Sequence, residues 1–107
     1  MTLIQQCDEI ARAAGWKDAD DLIGYAAIHS DTERALFNGK QIGALQKMCG
    51  ICTDDAELVA SGERWLASPD TWRSVDFGSV CREIRGALNA ERENGALLQE
   101  STFGAGI

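Results

Sequence analysis

Residues 2–16, Thr2-Leu-Ile-Gln-Gln-Cys-Asp-Glu-Ile-Ala-Arg-Ala-Ala-Gly-Trp16, set the fold class. Leu3, Cys7, Ile10, Ala11 and Ala14 recur at helical spacing with Gln5, Gln6, Asp8, Glu9 and Arg12 opposite, which predicts a helix with one buried face. Its ends are written locally. Thr2 followed by Gln5 is a capping box, and Gly15 past Ala14 supplies a left-handed stop with Trp16 folding back on the last turn.

The same reading carries along the chain. Asp18 caps a predicted helix over 19–28, with Leu22, Ile23, Ala26 and Ala27 on one face and Asp20 and Asp21 in its first turn. Ser30 with Glu33 opens a further segment over 31–37, and Asn38-Gly39 offers a left-handed break. Ile42, Leu45, Met48 and Cys49 line a fourth helix from Lys40, whose end Gly50 loosens, while Gly43 suggests close helix contact or a weak spot. Thr53 is placed to cap a fifth, built on Leu58, Val59, Gly62, Trp65 and Leu66. Pro69 starts a brief helical turn reaching Val75, Asp76 caps a last helix over 77–93, and Asn94-Gly95 ends it.

No alternating stretch is long enough for a strand, and no repeat or low-complexity tract occurs. The expectation is an all-α, compact bundle of about five to six short helices, with a helix-turn-helix-like core as an option. At 107 residues there is room for one domain, assigned to 1–95, with 96–107 as a flexible or partner-docking tail. No apolar run approaches a membrane span, and the opening residues carry acids where a signal peptide carries bases, so a cytoplasmic, membrane-free protein is expected.

Charge narrows the function. Ten Lys and Arg against 17 Asp and Glu give a net charge of −7, opposite to what a phosphate backbone attracts. Residues 1–70 hold 12 acids and 6 bases, so the imbalance sits in the first two thirds. Two stretches have helix-turn-helix spacing: one leads from Leu22–Ile28 to a helix at Asp31, the other from Leu45–Ile51 to Ala56 and Val59. Both place acids, Asp31 and Glu33 or Asp54, Asp55 and Glu57, where a groove-reading helix would meet phosphates. Direct nucleic-acid binding is therefore disfavoured. Arg82, Arg85 and Arg92 with Asn89 fall near one side of the last helix, a pattern that most simply forms solvated pairs.

Four cysteines, Cys7, Cys49, Cys52 and Cys81, read as reduced thiols. Cys7 and Cys81 fall on apolar stripes and look like packing. Cys49-Gly-Ile-Cys52 has the spacing of zinc knuckles and redox dithiols, yet only Cys7, Cys81 and His29 could complete a metal site, and no strand precedes the pair as a thioredoxin-like motif needs. No metal, cofactor or catalytic residue is assigned. Asp76-Phe77-Gly78 matches a kinase tripeptide by chance, since the rest of that machinery is absent.

The function expected is that of a small acidic, non-catalytic protein that binds and inhibits or modulates a partner with a basic surface. A phage- or mobile-element-type inhibitor that imitates nucleic acid fits this description. Asp18, Asp20, Asp21, Asp54, Asp55 and Glu57 are the candidate partner-binding residues, with apolar anchors holding the docked complex. A helix-turn-helix regulator and a zinc-stabilised module are the alternatives, and homodimerisation is compatible with each.

Overall fold

A computed structural model describes residues 1–30 and 36–105, with side chains described through Asn94. Among the described residues there are five helices: α1 (Leu3–Ala13), α2 (Ala19–Ser30), α3 (Gly39–Thr53), α4 (Ala56–Leu66) and α5 (Gly78–Ala105). Two short strands, β1 (Leu36–Asn38) and β2 (Trp72–Ser74), form an antiparallel ribbon. The all-α expectation holds.

The first helix is bounded as its sequence dictates. Thr2 accepts from the Gln5 N–H while the Gln5 side chain accepts from Thr2. Gly15 takes φ +95°, and the Trp16 N–H reaches back to the Ala11 carbonyl. A distant residue completes the N-terminus: Glu91 of α5 accepts from the Leu3 and Ile4 N–H groups at 2.9 and 3.0 Å. With Thr2, it satisfies the first three donors of α1. Glu91→Ala is expected to cost about 1–2 kcal/mol and to speed amide exchange at Leu3 and Ile4, whereas Glu91→Gln, keeping an acceptor, loses about half as much. Unchanged exchange in the alanine variant would show that water replaces the carboxylate at no cost.

The start of α2 is handled the same way. Asp18 accepts from the Asp21 N–H, and Asp8 of α1 accepts from the Ala19 N–H at 2.9 Å. From there α2 runs alongside α5. Phe77 N–H donates to the Ser30 hydroxyl at one end of the pair, and Arg92 meets Asp20 at the other. Leu22, Ile23, Ala26, Ile42, Leu45, Met48, Phe77, Ile84 and Leu88 are buried between the helices, joined by Cys7, Cys49 and Cys81.

Several predicted boundaries are corrected. Residues 31–35 lie outside the described set, but Leu36 and Phe37, expected at the end of a helical segment, are in β1. Asn38 is no left-handed break: it caps α3 with Gln41 in a second capping box, at φ −83°. Gly50 is interior to α3, which continues to Thr53. The cap of α4 is Asp55, accepting from the Leu58 N–H; the Thr53 hydroxyl instead donates to the Cys49 carbonyl. Pro69 begins no helix. The Thr71 N–H bonds the Ser68 carbonyl, placing Pro69 second in a tight turn that feeds β2. Finally, α5 passes through Asn94 and Gly95 to Ala105, because glycine ends a helix only where a left-handed closure is made, as at Gly15.

Glycines set the contact between α3 and α4. A Cβ on Gly43 would stand 2.6 Å from the Gly62 carbonyl oxygen, and one on Gly50 would stand 2.7 Å from the Val59 backbone nitrogen. As α3 advances from Gly39 to Gly50, its neighbour on α4 recedes from Trp65 through Gly62 to Val59. The two helices are therefore antiparallel and touch along their length, unlike a helix-turn-helix pair, which crosses at a steep angle. The second helix-turn-helix reading is replaced by this hairpin.

Candidate functional site

The six nominated carboxylates fall into two groups with different surroundings. Asp18, Asp20 and Asp21 sit at the start of α2, where each is engaged within the chain. Asp18 caps the helix, Asp21 accepts from the Lys17 N–H at 3.3 Å, and Asp20 pairs with Arg92 at 2.7 Å. Asp54, Asp55 and Glu57 sit at the turn between α3 and α4, all exposed. Asp54 closes α3 in the left-handed conformation at φ 55°, which a short polar side chain tolerates. Asp55 caps α4. Neither Asp54 nor Glu57 makes a side-chain hydrogen bond or ion pair among the described residues. No bond joins the two groups; Asp20 and Asp21 are exposed as well, and what sets Asp54 and Glu57 apart is that their carboxylates are not engaged within the described residues.

The last-helix arginines also divide. Arg92 bonds both Asn89 and Asp20, whereas among the described residues Arg82 reaches only the Ser79 hydroxyl at 3.3 Å.

The ribbon presents a feature that sequence reasoning missed. Phe37 faces Arg73, and Leu36 and Asn38 pair with Ser74 and Trp72. Alternation puts Phe37 on one face and Leu36 with Trp72 on the other. Phe37 is fully buried, edge-on to Phe77 with ring centroids 5.0 Å apart. On the outer face, Leu36 is 55% and Trp72 52% exposed. Reading Trp72 as a helical residue hid this face, because the pairing joins segments with no local signature.

Beside the ribbon, Tyr25 stacks against Trp16 and His29 at 4.9 and 4.1 Å between ring centroids. A shallow groove between α1 and α3 is lined by Ile10, Ala13 and Ile51, with Glu9 and Lys47 at its rim.

The cysteines are distributed rather than gathered. Cys49 Sγ donates to Glu83 of α5 at 3.2 Å; burial, then this bond, pushes its thiol up to about 12. Cys52, one turn further along α3, faces Cys7 of α1 with the sulfurs 3.9 Å apart. The contact with Cys7 lowers the Cys52 pKa against burial and the Glu91 charge, and raises that of the more deeply buried Cys7. Cys81 lies under α2, its thiol directed at the Ile23 carbonyl and its pKa raised by burial. Packing accounts for Cys7 and Cys81 as expected, but the two thiols of the Cys-x-x-Cys motif point to different helices. Among the described residues, no three His, Cys, Asp or Glu side chains converge as a metal ion would require, and no helix is long and apolar enough to cross a membrane. The chain matches no family model, no curated protein and no solved structure.

Proposed function

We propose that the chain is a non-catalytic binding protein that docks on a macromolecular partner with a basic surface, and inhibits or modulates it by occupying ground that a nucleic acid would take. The carrying observation is the α3–α4 turn, where Asp54 and Glu57 are exposed and uncommitted while the carboxylates of α2 serve the fold. Carboxylates left unneutralised in solvent accelerate encounter with a cationic surface but hold a complex weakly, so an apolar anchor is also needed. Trp72 and Leu36 supply one on the outer face of the ribbon, since half-exposed tryptophan is the side-chain type that most often concentrates binding energy. Because α3 separates ribbon from turn, anchor and steering charges lie at opposite ends of a helix of about 20 Å, a span suited to a protein groove.

The test compares partner capture by the wild-type chain, an Asp54→Asn/Glu57→Gln variant and a Trp72→Ala variant, from nuclease-treated extract. Captured species should be basic proteins that resist nuclease and elute with salt. Removing the two charges should slow association about tenfold at low salt, and Trp72→Ala should weaken retention by about thirtyfold. A low-salt gel shift with duplex DNA should show no complex. Duplex binding, or capture indifferent to all three substitutions, would overturn the proposal.

A further inference from the structure

The sequence motif pairs Cys49 with Cys52, but the fold gives Cys52 a different neighbour. Cys49 is held by Glu83, whereas the sulfurs of Cys7 and Cys52 stand in contact at 3.9 Å across the α1–α3 boundary. Cys7 is fully buried, and Cys52 is partly open to solvent. One thiol is thus reachable by a small oxidant, and its partner waits behind it in the core. A disulfide needs the sulfurs at roughly 2 Å, a closure within reach of side-chain rotation from van der Waals contact.

We propose that Cys7 and Cys52 are an oxidation site, forming an intramolecular disulfide when the chain meets a hydroperoxide. The Cys52 thiolate attacks one peroxide oxygen, giving a sulfenic acid and, with hydrogen peroxide itself, a hydroxide that takes up a proton as water. The Cys7 sulfur then attacks the Cys52 sulfur, the S–O bond breaks, and the oxygen leaves as a second water with the Cys7 proton. Two thiols lose two electrons and two protons, and one peroxide bond is reduced. Cys52 is the attacking sulfur on grounds of access, and its contact with Cys7 also favours its thiolate. The product staples α1 to the end of α3, closing a loop across 45 positions. This chemistry is independent of what the carboxylates or the ribbon bind.

Treatment of the folded chain with hydrogen peroxide near neutral pH, followed by alkylation of residual thiols, provides the test. Before alkylation the expected product is about 2 Da lighter than the starting chain, after it two thiols rather than four carry the alkyl group, and trypsin releases peptide 1–12 linked to peptide 48–64. Both Cys49 and Cys52 lie in the second peptide, so the Cys49→Ser variant, which retains a donor for Glu83, must give the same link. Oxidation should raise Tm by about 10 °C, reversibly with dithiothreitol, because the bond restricts the unfolded chain. A closed ring within peptide 48–64, a disulfide between chains, or Cys52 oxidised to sulfinic acid with Cys7 still free would each overturn the assignment.

Discussion

Gly43→Ala should lower the stability of the protein by about 2–3 kcal/mol, and Gly86→Ala should raise it by about 0.5–1 kcal/mol, although both put the same methyl group inside a helix. Helix propensity favours alanine at either position. What separates them is what the new carbon meets. At Gly86, on the exposed side of α5, nothing lies within 4 Å. At Gly43 the carbon would meet the Gly62 carbonyl oxygen at 2.6 Å and the Leu66 backbone nitrogen at 2.7 Å, backbone atoms that cannot rotate aside. Helix α4 buries only Gly62 completely and packs chiefly on α3, so little else holds it once the seam opens. Thermal unfolding should show Gly43→Ala melting about 15 °C lower, with amide protection lost first along α4. Gly62→Ala should behave alike, since its carbon would meet the Gly43 carbonyl oxygen at 2.7 Å. The double variant should cost clearly less than the two singles together, because a seam already parted accepts the second methyl. A wild-type melting temperature for Gly43→Ala would mean that α3 and α4 do not approach this closely in solution.

Gly43 marks where sequence reading succeeds and where it stops. Its position inside an apolar-striped helix raised close contact as one of two meanings, and only the facing Gly62 decides between them. Helix α1 was legible at both ends because Thr2, Gln5, Gly15 and Trp16 act on backbone groups within five residues of themselves. At residues 53–55 local chemistry is degenerate. Thr53 and Asp55 are both good caps, and the left-handed turn at Asp54 chooses between them. The ribbon left no trace, since three-residue strands are too short for alternation and their partners are fixed by a fold assembled elsewhere. The same holds for the site. Sequence located the acidic positions and the capping role of Asp18, but not the partner of Asp20, because Arg92 lies 72 positions away. Nor could spacing show that Cys52 faces Cys7 rather than Cys49.

Phe37→Ala should cost about 3–5 kcal/mol, while Trp72→Ala, on the same ribbon, should stay within about 0.5 kcal/mol of wild type. Both remove a large aromatic side chain from a three-residue strand, so strand propensity cannot distinguish them. Phe37 is fully enclosed, edge-on to Phe77 at 85° and to Tyr25 at 88°, and its loss leaves a cavity that α2 and the start of α5 cannot both close. Trp72, half in water on the opposite face, leaves no void. A urea titration should move the Phe37→Ala midpoint far below wild type with an unchanged slope, and leave that of Trp72→Ala in place. Against a typical total of about 5–15 kcal/mol, the first loss is a large share of the stability, and for a total of about 5 kcal/mol it leaves a substantial unfolded fraction. Phe37→Leu, which keeps most of the volume, should recover all but about 1–2 kcal/mol, the remainder including the lost edge-to-face contacts. The pairing also bears on function, because a side chain that contributes nothing to folding yet stays half-exposed beside a rigid buried neighbour is suited to meeting another surface. If Trp72→Ala proves as destabilising as Phe37→Ala, then the outer face of the ribbon is covered within the chain itself, and the anchor for a partner must be sought elsewhere.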